Sequence, residues 1–173
     1  MRNTTFERDD SLGEPILIII RGNSGCGKTS LAKKIQNYYG IKRSLLIQQD
    51  IIRRDILHSD DHVGNISIEL MMKMIEFGKQ NYEVTILEGI LRKDVYSEML
   101  KEAVNEFERR ALVFYLDISF EQTIKNNNKK EVPFSTEQLK SWWREKDFLN
   151  ASDIIINDNN EQMILKLAVE LMT

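Results

Sequence analysis

The sequence predicts a three-layer, doubly wound α/β fold in which helices cover both faces of a five-stranded parallel sheet. Short apolar runs of strand length alternate with longer stretches of helical pattern along the 173 residues. The runs ILIII at 16–20 and ALVFYL at 111–116 are nearly continuous and do not alternate with polar residues. Strands of that pattern need apolar cover on both faces, which favours a parallel sheet over a β-sandwich.

Each element of this fold is predicted by its own local pattern. The five strands are predicted at 16–20, 44–48, 84–88, 111–117 and 153–157. The longer helices are predicted at 28–39, 65–82, 94–108, 120–126 and 160–172. A short helix is predicted at 51–57, and another begins at Ser135, because Gln138 three residues later completes a capping-box pattern. The polar stretch KNNNKKEVP at 125–133 predicts an insertion loop.

The composition is that of an ordinary globular domain, with 42% hydrophobic and 29% charged residues. We expect a polar lead-in at 1–14 and a single domain at 15–173. The net charge of −3 disfavours nucleic acid as the main partner. The single cysteine, Cys26, excludes an internal disulfide and suits a reducing compartment. No apolar run approaches the roughly 20 residues of a membrane helix. These features predict a cytoplasmic monomer or homodimer without a membrane partner.

The segment between the first strand and the first helix predicts a phosphate-binding loop. It reads GNSGCGKT and matches the Walker A pattern G-x-x-x-x-G-K-[ST] at every fixed position. Glycines let the chain turn its amide hydrogens toward an anion, and the following helix adds its positive N-terminal end. The predicted nucleotide-binding residues are Gly22, Asn23, Ser24, Gly25, Cys26, Gly27, Lys28, Thr29 and Ser30.

The loop also predicts its own cofactors, ATP and Mg²⁺. In this pattern the lysine, Lys28, reaches the β- and γ-phosphates, and the hydroxyl of Thr29 binds the Mg²⁺ ion. Cys26 has neither a histidine nor an acid beside it in sequence and is interpreted as a small loop residue. A loop of this kind by itself leaves switch GTPases, motor ATPases and kinases open.

Two acids follow other predicted strands and complete the candidate site. Asp50 comes directly after the second strand, and Glu88 ends the third. Functional side chains of such sheets lie just beyond the carboxyl ends of the strands, beside the phosphate loop. A carboxylate there accepts the proton of an attacking hydroxyl or binds Mg²⁺. Arg53 and Arg54 are candidates for steadying an anionic group, with Arg53 preferred. Asp50 as a plain helix cap stays open.

Two nucleotide users are disfavoured by what the sequence lacks. A GTPase carries an N-K-x-D segment after a strand, whereas the nearest string, NKKE at 128–131, lacks the aspartate and follows no strand. An oligomeric motor ATPase usually needs more chain and a strand that ends in paired acids. The third strand here ends in the single acid Glu88, followed by Gly89.

The motifs together resemble the small bacterial P-loop kinases of the uridine-kinase-like group. The resemblance rests on the phosphate loop, QDIIRR at 49–54, LEG at 87–89 and WWREKDFL at 142–149. More distantly, the chain is similar to chloramphenicol phosphotransferase, gluconate and shikimate kinases and zeta toxins. This implies a fold of the P-loop nucleoside triphosphate hydrolase and nucleotide-kinase type. It also implies transfer of the ATP γ-phosphoryl group to a hydroxyl of a small molecule, such as a nucleoside, sugar or antibiotic.

The resemblance also implies roles for individual residues. Lys28 and Thr29 take the phosphate and Mg²⁺ roles, Asp50 binds the acceptor hydroxyl as a base, and Glu88 lies near the metal and the acceptor. The family's lid, expected at about 125–134, usually supplies an arginine, but the segment IKNNNKKEVPFS contains none.

The missing arginine leaves several readings open. Lys125, Lys129, Lys130 or Arg144 would have to replace it, although lysine lacks the bidentate fork of arginine. The acceptor of the transfer also stays open, and an antibiotic, a nucleotide sugar or a nucleic-acid end are alternatives within the phosphotransferases. A sensor that binds ATP without phosphorylating anything, or a plain nucleotide hydrolase, remain alternatives to the kinase.

Overall fold

The sheet of the computed structural model, which describes residues 13–157 and 161–170, contains five strands. They are Ile16–Gly22 (β1), Ser44–Gln48 (β2), Val84–Glu88 (β3), Ala111–Leu116 (β4) and Ile154–Ile156 (β5). Their order is β2-β3-β1-β4-β5, and every neighbouring pair is parallel. The predicted α/β fold with a five-stranded parallel sheet is therefore confirmed, and β1 lies at its centre.

The helices connect these strands in the predicted alternation. They are Lys28–Tyr39 (α1), Ser67–Asn81 (α2), Lys93–Glu106 (α3), Phe120–Asn127 (α4), Thr136–Trp142 (α5) and Glu161–Glu170 (α6). A π-helical turn, Ile51–Ile56, follows β2, and a 3₁₀ turn, Glu108–Arg110, precedes β4. No helix in the described part of the chain is long and apolar enough to cross a membrane.

The observed boundaries of α1, β2 and β3 coincide with the predicted ones. The predicted capping box is formed, because the Ser135 hydroxyl accepts the Gln138 N–H at 3.2 Å and the Gln138 side chain accepts the Ser135 N–H at 3.0 Å. Several other predicted boundaries differ by one or more residues, two of them for clear local reasons. α2 begins at Ser67, because the Asn65 side chain accepts the Ser67 N–H and forms a turn instead. α4 continues to Asn127, so the predicted insertion loop begins as helix.

Some predicted segments lie at the edges of the described residues. Residues 1–12 of the predicted lead-in lie outside them, and residues 13–15 precede β1 without regular structure. The predicted helix 160–172 is described from Glu161 to Glu170, and residues 160, 171 and 172 lie outside. β5 is shorter than predicted because Asp153 turns its carboxylate toward main-chain N–H groups of the preceding loop.

The two faces of β1 pack into two apolar cores, which explains its continuous apolar run. Ile16, Ile18 and Ile20 are buried in one core together with residues of α1 and α6. Leu17 and Ile19 are buried in the other together with residues of α2 and α3. Removing this much apolar surface from water is the main stabilising contribution to the fold. The fully buried central strand therefore gives the loops at the carboxyl edge of the sheet a fixed support.

Candidate active site

The phosphate-loop residues connect β1 to α1 at the carboxyl edge of the sheet. Gly22 has a φ angle of 145°, Gly25 of 82° and Gly27 of 99°. A Cβ atom at Gly22 would lie 2.8 Å from the Cys26 sulfur, and one at Gly25 would lie 2.8 Å from the Thr123 carbonyl oxygen. Both Gly22 and Gly25 are therefore required, because any side chain would strain the backbone and collide with its neighbours.

The loop presents one set of residues to a cavity and buries the rest. Six of its predicted residues line the cavity: Ser24, Gly25, Gly27, Lys28, Thr29 and Ser30. Gly22, Asn23 and Cys26 are buried beneath the loop. Helix α1 begins without a side-chain cap, since Gly27 precedes it. The N–H groups of its first turn therefore have no side-chain acceptor and are available to an anion.

Lys28 carries a buried charge that has no partner of opposite sign among the described residues 13–157 and 161–170. Its side chain is 8% exposed, and its ammonium donates to the Asn23 carbonyl oxygen at 2.8 Å and approaches the Cys26 sulfur at 3.7 Å. Among the residues that the structure describes, no carboxylate lies within ion-pair distance of it. A buried cation held by neutral groups favours the binding of an anion beside it.

The two predicted metal ligands contact each other. The Thr29 hydroxyl donates to Glu88 Oε1 at 2.8 Å, and the Gln48 amide donates to the same oxygen at 2.9 Å. Glu88 is 5% exposed and lies opposite Gln48 in the register of β2 and β3. A hydroxyl and a carboxylate are oxygen ligands of the kind that Mg²⁺ prefers, with phosphate and water oxygens as the remaining ligands. The residues present therefore fit a magnesium site.

Asp50 lies at the end of β2 and lines the same cavity. Its side chain is 59% exposed, and its Oδ1 lies 3.6 Å from Arg53 and 3.5 Å from Arg54. Its backbone is already helical, and its side chain makes no capping hydrogen bond to the following turn. The Asp50 side chain therefore does not act as a plain helix cap. The carboxylate is instead left open to a ligand in the cavity.

The two arginines after Asp50 point to different surroundings. Arg53 donates to the Ser59 carbonyl oxygen at 3.0 Å and is only 12% exposed, and it is not among the residues that line the cavity. The Arg54 guanidinium lies 6.0 Å from the ring centre of Phe134 and 5.9 Å from that of Trp142. Arg53 thus supports the chain after Asp50, and Arg54 contacts the lid region.

The cavity itself has a volume of about 410 Å³, which is in the range of small-molecule sites. Its lining includes Leu116 and Ile156 from β4 and β5, and Asp50 and Glu88 from the ends of β2 and β3. Because β1 lies between these pairs of strands, Leu116 and Ile156 stand on one side of the phosphate loop, and Asp50 and Glu88 stand on the other. The arrangement suits a ligand with an apolar base at one side and a reacting group at the other.

Comparison with solved structures adds independent information on this architecture. The gluconokinase from Sinorhizobium meliloti 1021 matches with a TM-score of 0.64 and 12% identity, covering 92% of this chain and 93% of that protein. The Mycobacterium tuberculosis APS kinase, in complex with AMPPNP and APS, matches with a TM-score of 0.61 and 11% identity, covering 92% and 98%. The fold is that of the P-loop kinases.

A further solved structure with a similar fold is of a protein whose name is not that of a kinase. Chaetomium thermophilum Kti12, in complex with ADP-AlF3, matches with a TM-score of 0.55 and 12% identity, covering 91% of this chain and 99% of that protein. No protein-family model matches the chain, and no curated protein is similar to it in sequence at a significant level. The similarity therefore lies in the fold, and the chemistry has to be argued from the residues of this chain.

In this P-loop kinase fold, the predicted lid segment contributes two lysines to the cavity. Lys129 and Lys130 line it, whereas Lys125 and Arg144 do not. The Lys130 ammonium lies 5.0 Å from the ring centre of Phe134. Burial lowers the pKa of Lys130, and the nearby charge of Lys28 lowers it further. Lys130 is thus a lid cation whose charge interacts with that of Lys28 in the phosphate loop.

Several contacts that sequence analysis missed hold the phosphate loop and the chain after β3 in place. The Asn126 amide donates to the Gly25 carbonyl oxygen at 2.9 Å. The Asn23 side chain exchanges two hydrogen bonds with the main chain of Arg144, at 2.7 and 2.8 Å. The Gln49 side chain accepts the Leu91 N–H at 3.0 Å. These contacts join residues that are far apart in the sequence. The one sequence signal that could have indicated them is the occurrence of polar residues at positions where burial is expected.

Proposed function

We propose that the protein is an ATP-dependent phosphotransferase that moves the γ-phosphoryl group of ATP to a hydroxyl of a small molecule. The observation that carries the proposal is that one cavity is lined both by the phosphate-loop residues Lys28 and Thr29 and by the exposed carboxylate of Asp50. Binding of a nucleotide alone requires only the first of these. An open carboxylate at the far side supplies what an acceptor hydroxyl needs.

The nucleotide side of the cavity would be occupied by ATP with Mg²⁺. The loop amides and the N-terminus of α1 would bind the phosphates, and Lys28 would leave the Asn23 carbonyl oxygen for the β- and γ-phosphates. The hydroxyl of Thr29 and the carboxylate of Glu88 would bind the Mg²⁺ ion, which withdraws negative charge from the phosphate oxygens. The apolar side near Leu116 is suited to the adenine base.

The acceptor side would bring the hydroxyl to Asp50. The hydroxyl oxygen forms a bond to the γ-phosphorus while the bond from that phosphorus to the β–γ bridging oxygen breaks. The hydroxyl proton goes to the Asp50 carboxylate, and ADP carries away the bonding electrons as the leaving group. Positioning of the two reactants in one water-poor cavity would supply much of the acceleration. Arg53, which pairs with Asp50 and binds the Ser59 carbonyl, would position this base.

The lid would complete the site with Lys130. Negative charge develops on the transferring group and has to be neutralised from both sides. Lys28 would approach the transferring group from the phosphate loop, and Lys130 would approach it from the lid. Lys130 would thereby replace the arginine that the lid supplies in the kinases that the sequence resembles. Lys130 is favoured over Lys125 because it lines the cavity, and over Lys129 because its charge interacts with Lys28 and Asp50. Closure of the lid, predicted at 125–134, would exclude water as a competing acceptor.

Acceptor-dependent turnover tests the proposal. ADP release from Mg–ATP is measured alone and with separate pools of nucleosides, sugars and aminocyclitol antibiotics, and the products are examined by mass spectrometry for an added phosphoryl group. We expect at least one pool to raise ADP release and to yield a phosphorylated product. ATP turnover that no acceptor changes would indicate a hydrolase, and binding without any turnover would indicate a nucleotide sensor. Either result contradicts the transferase.

A further inference from the structure

Arg21 is a buried cation inside the central strand, one residue before the phosphate loop. Its side chain is 0% exposed. Its Nε and Nη2 both donate to the Leu91 carbonyl oxygen, at 3.1 and 2.8 Å, and its guanidinium lies 5.7 Å from the ring centre of Tyr115. It pairs with Asp147 at 3.2 Å and with Asp153 at 3.5 Å. The three charged residues form a triad behind the loop, in which the side chains of Arg21 and Asp153 are buried and that of Asp147 is partly exposed.

The two aspartates of the triad also organise the main chain around them. Asp153 accepts the Leu149 N–H at 2.6 Å and the Asn150 N–H at 3.3 Å. Asp147 accepts the N–H of Lys93, the first residue of α3, at 2.9 Å. Residues 143–153, which we call the bridge segment, are therefore folded around Arg21. This segment includes most of the WWREKDFL motif, for which the proposed chemistry has no use.

The other end of the bridge segment reaches the phosphate loop. The Arg144 N–H donates to Asn23 Oδ1 at 2.8 Å, and Asn23 Nδ2 donates to the Arg144 carbonyl oxygen at 2.7 Å. Asn23 is 5% exposed, and its own carbonyl oxygen accepts the Lys28 ammonium. A two-point contact of this kind fixes the side-chain amide of Asn23 and thereby restricts the backbone to which it is attached. Asn23 thus connects the bridge segment to the residue that meets the phosphates.

We propose that Arg21 is a positioning residue for the nucleotide site: through Asp147 and Asp153 it sets the place of the bridge segment, whose Arg144 main chain holds Asn23 and hence the phosphate loop. The inference rests on the proposed function only as far as nucleotide binding. Replacing a buried ion pair with apolar residues often leaves stability unchanged. A contribution to stability alone therefore does not explain why the triad is present. The main-chain N–H groups that its two carboxylates bind explain it, because those bonds hold the bridge segment in place.

The test measures nucleotide affinity, not only stability. Binding of Mg–AMPPNP is followed by calorimetry for the wild type, Asn23→Ala, Arg21→Met and the double variant, with circular dichroism at the same temperature to verify the fold. We expect about a tenfold loss of affinity for each single variant, and no further loss in the double variant, because both changes break one chain of contacts. Arg21→Lys should restore part of the affinity.

Two further variants keep the inference open to refutation. Asp147→Asn keeps the shape of the side chain and serves where Arg21→Met fails to fold; we expect it to weaken nucleotide binding as well. Arg43→Met breaks an arginine–carboxylate pair with Glu83 outside the site and should lower the melting temperature without changing affinity. Wild-type affinity in folded Asn23→Ala or Asp147→Asn overturns the inference, as do additive effects in the double variant. A wild type that binds no nucleotide overturns both this inference and the proposed function, whereas a missing acceptor overturns only the latter.

Discussion

The two sides of the cavity differ in how far their side chains are fixed before any ligand arrives. On the nucleotide side, Lys28 is 8% and Glu88 5% exposed, and each has a hydrogen-bond partner within 2.8 Å. On the proposed acceptor side, the Asp50 side chain is 59% exposed, and its contacts within the described part of the chain are charge contacts of 3.5 and 3.6 Å. The side chains of the proposed nucleotide side are thus fixed before a ligand binds. The Asp50 side chain on the other side becomes fixed only when a ligand binds. Substitutions on the two sides should therefore have different kinetic signatures.

The largest effect is expected at Lys28. Lys28→Ala removes the buried charge that meets the phosphates, so kcat/KM for ATP should fall by about 10³-fold or more. Calorimetry with Mg–AMPPNP should show a corresponding loss of nucleotide affinity. Lys33→Ala, an exposed lysine on the same helix, is the control and should behave like the wild type. Normal nucleotide affinity in Lys28→Ala would contradict a preorganised nucleotide side.

Asp50 should show the opposite signature. Asp50→Asn removes the proton acceptor but no phosphate ligand, so kcat of acceptor phosphorylation should fall by about 10²–10⁴-fold. Nucleotide affinity, measured by calorimetry, should stay within a factor of about two. The exposed Asp55 on the same turn gives a matched control, Asp55→Asn, that should keep full activity. Full kcat in Asp50→Asn with a true acceptor would remove the base from the mechanism.

Lys130 should connect the two sides through its charge. Lys130→Ala loses a charge-assisted contact to the phosphates, and kcat should fall by about 10–100-fold. The variant Lys129→Ala, at the adjacent cavity-lining lysine, should lose less.

The pKa of Lys130 gives this role a pH dependence. Burial, and then the charge of Lys28, lower that pKa, so the ammonium loses its proton at lower pH than an ordinary lysine. As the pH rises through this value, the attraction for phosphate is lost and kcat/KM for ATP should decline. Lys130→Arg retains its charge and should abolish that decline in the pH profile. An unchanged profile in Lys130→Arg would show that another group titrates.

The smallest effect is expected at Gln48. Gln48→Ala removes one hydrogen bond to Glu88 but leaves the bond from Thr29. A single net hydrogen bond contributes about 1 kcal/mol, so the Mg²⁺ concentration for half-maximal activity should rise about threefold to tenfold. A titration of activity with MgCl₂ measures this shift. The exposed Gln138→Ala on α5 should leave the titration unchanged.

The sequence predicts the elements better than it predicts their mutual contacts. β1 and β3 were located because their nearly continuous apolar runs have one explanation, burial on both faces. The nucleotide residues were located because a fixed spacing of glycines and Lys28 has a direct physical meaning. The contact between Asn23 and Arg144 joins residues 121 positions apart. No local pattern carries such information, since it depends on how the whole chain packs.

Arg53 and Arg21 illustrate two different limits. Arg53 was preferred for its nearness to Asp50 in sequence, but on a helical turn the residues three and four positions on are both neighbours of the first. The hydrogen bond to the Ser59 carbonyl oxygen holds Arg53 beside Asp50 but outside the cavity lining, while the Arg54 guanidinium lies near the Phe134 ring. Arg21 gave no signal, because a single arginine after five apolar residues reads as the end of a strand. It is buried because two aspartates from a distant segment neutralise it.

The two amide contacts to the phosphate loop have a consequence for how this protein can be altered. Asn126 is attached to Gly25, and the Arg144 main chain to Asn23, so the stretch between positions 126 and 144 is anchored at each end to the phosphate loop. Changes of length inside the exposed tip at 128–133 stay between these anchors and do not propagate to them. Apart from the cavity-lining Lys129 and Lys130, the tip is thus the part of this stretch that can be altered without moving the phosphate loop.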